Sequence, residues 1–508
     1  MSGVRGQVNG SGHLFVETVR SNFSLGMRQL NGRYTNNWAE HLLKGLVIMS
    51  SADTVAQRLG TFVSRLTYED LPPEVVRQAK NFVLDQLGCQ LLGSTVEWNQ
   101  PVYEFVKKYR QGGSATIVNY GDRVPPDDAA FVNGTFGQGC ELDDYYDRGG
   151  GHPGAASIPV AIALSELKRV NGRSFITAIV AGYELGWRAG SGLYPSIMRR
   201  GFHAQSVMGV FIAAATAGKI LQLDSRQMTN TFAIAGSHAS GTMEFDQSGG
   251  EVKRVHNGLA CAGGMRSAML AQLGLTGPPT IFEGERGILK VFTGECNVEP
   301  MTHGLGSEFA IMHGAIKRFP VNASQHSPIE LLSKLVDENG IGPKDVQRID
   351  VEVNENVLMH GGTIYEPKQV VEAQFSLRFT LAIRLLKKSN DLRLYVNPRL
   401  WSDPEVLDLG KKIHLASDPS AKGQLRFACK MRLTLSNGRI FEGSLPSPKG
   451  TARNPLSREE IQQKFFGLAD GVLPKERLHR IMDKIEGIDR EDDVSTLMHL
   501  MISSAAKS

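Results

Sequence analysis

Cysteine is scarce and scattered in this sequence: five residues, Cys89, Cys140, Cys261, Cys296 and Cys429, lie far apart in 508 positions. The number is odd and no CxxC or zinc-type spacing occurs, which argues against a disulfide framework or a Cys-rich metal centre and for reduced thiols in an intracellular protein. Long apolar runs are also missing. The best stretch, residues 207–217, is shorter than the ~18 residues a membrane-spanning helix needs and is rich in small side chains that suit a packed helix. No membrane association is expected. Charge of one sign is lacking too: the net charge of +4 is spread over the whole chain, which gives no basic face for nucleic acid. It would help to attract an anionic metabolite only where cations converge in a cleft. Nucleotide-binding and hydrolase signatures are absent, since there is no GxxxxGK[ST], no GxGxxG after a strand, no HExxH, no serine elbow and no kinase set.

What is present divides the chain. Residues 1–52 carry Arg5, Arg20, Arg28, Arg33 and Lys44 against only Glu17 and Glu40. This is the acid-poor texture of a mitochondrial targeting segment or of a disordered extension. Residues 53–304 read as the first part of a helical domain. Asp53 is placed to cap a helix through Val55, Leu59, Phe62 and Val63, and Pro72-Pro73 open the next, 74–93. Further helical patterns cover 126–138, 155–169, 174–188, 207–221, 225–235 and 258–273, with Ala and Gly in their interiors. From 305 to 447 the texture is α+β. Residues 346–353 alternate as a strand, Ser436-Asn437-Gly438 marks a hairpin, and helices are expected at 327–339 and 373–386. Residues 448–508 return to helix, opened by a capping box at Ser457 and Glu460. The fold class is therefore mainly α, a large helical domain with an inserted, smaller α+β lid, and the cleft between the two is the favoured place for a small-molecule site.

Four segments could carry chemistry. In CELDDYYDRGGGHPG, residues 140–154, Glu141, Asp143, Asp144 and Asp147 crowd ahead of three glycines, His152 and a helix start. Close carboxylates raise at least one carboxyl pKa, which suits acid–base work, and a helix N-terminus favours an anion; a solvated acidic loop is the plainer reading. In Arg199-Arg200-Gly201-Phe202-His203 a second histidine stands at a helix start beside two arginines, or serves only as a cap. In residues 249–258 the pair Gly249-Gly250 and the single Gly258 flank Lys253, Arg254 and His256, and the fourth segment is Ile316-Lys317-Arg318-Phe319-Pro320 with His326. Together they repeat one theme, His or Lys beside glycine at helix starts, as the binding of two or three carboxylates requires. The expected ligand is a small polycarboxylate. No metal ligand set is read in these segments.

These segments also resemble a known family. The blocks GCELDDYYDRGGGHPGAASIPVAIALSE, AGYELGWRAG, GFHAQSVMGVFIAAATAGKILQLD, KRVHNGLACAGG, IKRFPVNASQHSPIE, VVEAQFSLRF and PKGTARNPLS, spread over about residues 53–505, look like the MmgE/PrpD family in order and content. That family includes 2-methylcitrate and alkylcitrate dehydratases, cis-aconitate decarboxylases and an iminodisuccinate epimerase. The resemblance implies a lyase with no metal or organic cofactor, working on a tricarboxylate or its alkene product, often as a homodimer; the scattered thiols and the acid-poor first fifty residues give an intracellular place, cytoplasmic or mitochondrial, as the expectation. It implies His152, His203, Lys253, Asp143 and Asp144 as catalytic residues. Glu141, Tyr145, Arg254, His256, His326 and Phe379 would contact substrate. Where the decarboxylase branch carries a tyrosine this chain has Phe379, and Tyr145 replaces a threonine. A phenylalanine cannot donate a hydrogen bond, so dehydration of a citrate-type acid, 2-methylcitrate or a longer alkylcitrate, ranks ahead of decarboxylation or isomerisation in this reading.

Overall fold

A computed structural model describes residues 53–146, 150–421 and 426–503; the chain divides into a unit of residues 1–49 and one of 50–508. The extension expected at 1–52, and Asp147 of the acidic cluster, lie outside the described residues.

Helix α1 (Val55–Arg65) is capped by Thr54 rather than Asp53. The Thr54 hydroxyl accepts from the Gln57 N–H, and the Gln57 side chain answers to the Thr54 N–H at 2.8 Å. Pro73 opens α2 (Pro73–Gly93) and Pro126 opens α3 (Pro126–Gln138), both at positions where a missing N–H costs nothing. A short strand β1 (Asp144–Tyr146) precedes α4 (Pro153–Lys168), which is followed by α5 (Gly172–Leu193), α6 (Ala204–Ile220), α7 (Ser225–Ala235) and α8 (Val252–Gln272). Helix α8 starts six residues before the expected 258, so Lys253, Arg254 and His256 sit in its first turns and not in a loop. The small residues let these helices approach closely: a Cβ on Gly264 of α8 would fall 2.4 Å from the Val210 carbonyl oxygen of α6.

Strand β2 (Gly314–Ile316) pairs antiparallel with β1, setting Asp144 opposite Ile316 and Tyr146 opposite Gly314. Then come α9 (His326–Asn339), β3 (Val346–Val353), α10 (Val370–Phe375), α11 (Leu377–Lys387), β4 (Ile413–Ser417), β5 (Cys429–Leu435), β6 (Ile440–Leu445) and α12 (Arg458–Ala469). One helix was expected over 373–386. The chain instead breaks at Ser376, whose hydroxyl leaves the ladder to cap the Phe379 N–H at 3.2 Å. The sheet order is β4-β3-β5-β6, with β3–β4 parallel and the other pairs antiparallel. The hairpin turns at Ser436-Asn437-Gly438 as expected, Gly438 taking φ +86°.

Two hydrophobic cores result. The larger gathers residues from Val55 to Ile316 and takes in Ile461, Phe465, Leu478 and Met501 from the C-terminal return. The smaller runs from Val321 to Leu435 and holds the buried face of β3 (Val346, Ile349, Val351, Val353) against α9 and α11. The fold is mainly helical with a small mixed sheet, as the hydropathy pattern predicts. Among the described residues no helix is long and apolar enough to cross a membrane. The cysteines are free thiols, all buried but Cys296.

Candidate active site

A cavity of about 130 Å³ is lined by Tyr146 and Ala204 of the larger core and Val357 of the smaller, together with Glu141, Tyr145, His152, His203, Gln205, Lys253, Lys317, Phe375 and Arg426. The β1–β2 pairing builds one wall. It carries Lys317, the residue after β2, to the loop that holds Glu141 and Asp143. Lys317 Nζ stands 3.1 Å from Glu141 Oε2 and 3.4 Å from Asp143 Oδ1, and Lys253 Nζ donates to Glu141 Oε1. All four side chains are buried, so two ammonium and two carboxylate groups neutralise one another in a region that water does not screen. Burial, then the nearby Lys317 and Arg254 charges, hold the Lys253 ammonium well below its ordinary pKa.

His152 joins this network. Its Nδ1 lies 2.9 Å from the Asp144 carbonyl oxygen and 2.9 Å from Asp143 Oδ2. With Nδ1 so engaged, Nε2 is the nitrogen left for proton transfer. Burial pushes the Asp143 carboxyl up, but His152 and Lys317 outweigh it and keep the group below the usual carboxylate range.

The backbone of His152 is held as firmly as its ring, for a reason that begins at Pro159 inside α4. Proline has no N–H, so the Ala155 carbonyl loses its helical donor. Asn257 of α8 replaces it, its Nδ2 donating to the Ala155 oxygen at 2.7 Å and to that of Gly134 at 2.8 Å. Asn257 Oδ1 accepts from Gln205 Nε2 at 2.6 Å. Gln205 in turn clamps His152, accepting its N–H at 2.6 Å and donating to its carbonyl at 3.1 Å.

The remaining expected residues separate into two groups. His203 lines the cavity and pairs with His256, Nδ1 to Nδ1 at 3.0 Å, with Phe245 edge-on to the His203 ring. Burial, helped by Lys253, lowers His256 to about 4, so it is neutral near pH 7 and supports His203 from behind. Tyr145 is on the wall, packed edge-on to Phe427 at 5.5 Å.

Asp144, Arg254, His326 and Phe379 do not line the cavity. Asp144 accepts from the Gly154 N–H at 3.0 Å and from the Tyr183 hydroxyl at 2.6 Å, which makes it a buried cap of α4. Burial raises its carboxyl to about 7. A Cβ at Gly154 would come 2.6 Å from Asp144 Oδ1, so glycine is required there. Arg254 is occupied by Glu251, the Gly139 carbonyl and Gln374, with its guanidinium 4.6 Å over the Trp98 ring. His326 is buried behind Tyr145, 6.5 Å between rings, and burial first, then Lys317, keeps it neutral. Phe379 faces Tyr395 in the smaller core, 6.0 Å between ring centres. The expectation that it contacts substrate is corrected by this placement, because its position in α11 points it into packing.

Gln205, Asn257 and Arg426 were not singled out from the sequence, and Lys317 entered only as a member of the cationic IKRFP segment. Gln205 and Asn257 act through partners 52 or more residues away in sequence, which no local pattern displays. Among the described residues no three or more His, Cys, Asp or Glu are grouped so as to hold a metal ion.

A mainly helical protein of two domains, with a lysine- and histidine-lined cavity drawing on both, is the class that fold and geometry define. The chain belongs to the MmgE/PrpD family. Its N-terminal domain profile matches residues 57–301 and its C-terminal domain profile residues 319–486. The cis-aconitate decarboxylase-like protein oryM of Aspergillus oryzae is 30% identical over 473 residues, covering 88% of this chain and 97% of that protein. The cis-aconitate decarboxylase of Aspergillus terreus is 28% identical, covering 88% and 96%. The human cis-aconitate decarboxylase is 27% identical, covering 88% and 94%.

Proposed function

We propose that the chain is a lyase that decarboxylates cis-aconitate or a close polycarboxylate analogue. The observation that carries this is the buried Lys253–Glu141–Lys317–Asp143–His152 network, whose members other than Asp143 line the cavity and which combines anion binding with a held proton carrier. In cis-aconitate the bond to the leaving carboxylate breaks and CO2 departs. The electron pair forms a new C=C bond, and the former alkene carbon takes one proton. Protonated His152 is the donor, and Asp143, held as a carboxylate, stabilises the imidazolium beforehand. The lysines offset the charge that spreads over the remaining carboxylates as CO2 leaves. His203, backed by neutral His256, shares in proton transfer or in orienting a carboxylate. The preference for dehydration rested on Phe379 and Tyr145; Phe379 packs in the smaller core, away from the cavity, whereas Tyr145 is on its wall and keeps the second reading open. The decarboxylases named among the relatives add weight on the other side.

Dehydration of a citrate-type acid is the second reading. It requires a base for the α-proton and an acid for the departing hydroxide, and the cavity has two histidines, His152 and His203, for those tasks. The test is incubation with cis-aconitate, citrate, 2-methylcitrate and longer alkylcitrates, with CO2 release and product mass followed together. CO2 from cis-aconitate is the expected result. Loss of water from a citrate without CO2 would replace this reading with the second. His152→Gln should lower kcat by about 100-fold or more in either case; a variant as active as the parent would remove His152 from the chemistry.

A further inference from the structure

The cations on the cavity wall are not equivalent. Lys253 and Lys317 are each matched by buried acids, Glu141 and Asp143. Arg426 is different. It lines the same cavity from the smaller domain's side, just ahead of β5, and forms no ion pair among the described residues. Its Nη1 is buried and meets no acceptor there. The guanidinium is held by faces rather than by acids, lying 5.0 Å from the Tyr194 ring centre and 4.4 Å from that of Phe427, both of which also line the cavity.

A guanidinium stays protonated in any protein environment. A partly buried one without a counter-charge is costly to keep. Aromatic faces fix the plane of the fork and leave its N–H edge for an acceptor, and a carboxylate matches that edge in a bidentate way. The charge arithmetic agrees. Lys253 and Lys317 are matched by Glu141 and Asp143, so with His152 protonated the network offers a trianionic substrate one net positive charge. Arg426 adds a second, unmatched by any acid among the described residues.

We infer that Arg426 is the substrate-carboxylate clamp of this site, gripping one carboxylate of a polycarboxylate from the side opposite the Lys253–Glu141–Lys317 network and setting the preference for three carboxylates over two. This deepens the functional reading above and rests on it for the ligand class.

The test uses the full chain and two ligands that cannot react, tricarballylate (propane-1,2,3-tricarboxylate) and glutarate, with binding measured by calorimetry for the parent, Arg426→Gln and Arg426→Lys. The parent should prefer tricarballylate. In Arg426→Gln tricarballylate affinity should fall at least roughly 30-fold, since removing one partner of a desolvated charge pair has that scale. Glutarate, able to dock on the remaining groups, should change by less than about threefold, so the preference collapses. Arg426→Lys keeps the charge and the stem but not the fork, and should recover only part of it. An unchanged preference in both variants, or equal loss of both ligands, overturns the assignment. A parent that binds tricarballylate but converts none of the acids above would instead overturn the reaction and leave the clamp standing.

Discussion

At the scale of single residues, the cavity wall separates groups that read alike in sequence. Asp143 and Asp144 are adjacent, yet one is held as a carboxylate by His152 and Lys317 while the other is pushed by burial from 3.8 to about 7. Linkage gives the consequence. A group whose folded pKa is raised contributes stability below its unfolded value, and that contribution is lost as pH rises to the folded one. Asp144→Asn removes the titration and still accepts from the Gly154 N–H. Its stability relative to the parent should therefore climb between about pH 4 and pH 7 and level off above, as read by denaturant unfolding at several pH values. A flat difference across that range would mean that Asp144 is not buried as an acid. His152, His203, Lys253 and Glu141, which line the cavity, were picked out in the sequence by the family resemblance, with glycine-flanked cations at helix starts as the local signal for the first three. Burial was not legible there. Asp144, Arg254, His326 and Phe379 share motifs with the lining residues, and only tertiary packing turns them away from the cavity.

Elements set the precision of the site. The boundaries of α3, α7 and β3 follow from proline, capping residues and alternation, and the expected ranges coincide with the observed ones. The parallel strand β4 gave no comparable signal, since only Ile413 of its five residues is fully buried and its alternation is weak. The start of α8 was missed because glycines on both sides suggested a loop. That early start matters, since it brings Asn257 to the Ala155 carbonyl that Pro159 leaves without a donor. Asn257→Asp keeps the shape but sets carboxylate oxygens against the Ala155 and Gly134 carbonyls. The Gln205 clamp on His152 should loosen with it. A displacement of about 1 Å at a catalytic group lowers turnover on the order of 100-fold, so kcat should fall far more than KM rises. Equal kcat in the variant and the parent would show that His152 is positioned without this chain of amides.

For the whole molecule the question is what keeps the two cores in register across a cavity that both line. Gln374, fully buried in α10, is the clearest tie. Its Nε2 donates to the Cys140 carbonyl at 3.1 Å and to the Pro320 carbonyl at 2.9 Å, and its Oε1 accepts from Arg254 Nη2 at 3.1 Å. One side chain thus connects α10 of the smaller core, the residue before Glu141, and the first turn of α8. This also accounts for Arg254, whose charge is used in holding the frame and not in holding substrate. Gln374→Ala would leave two buried carbonyls and one guanidinium N–H without partners. Each such orphan costs about 1–3 kcal/mol, with the charged group at the upper end. The expected loss is therefore several kcal/mol in denaturant unfolding. Activity should fall as well, because the Cys140–Glu141 backbone would no longer be fixed against Lys253 and Lys317. If Gln374→Ala unfolds at the same denaturant concentration as the parent and retains its turnover, the tie is not what sets the two cores against each other. The alignment would then rest on other contacts between them, such as the Gly250 N–H donating to Gln369 Oε1 at 3.1 Å.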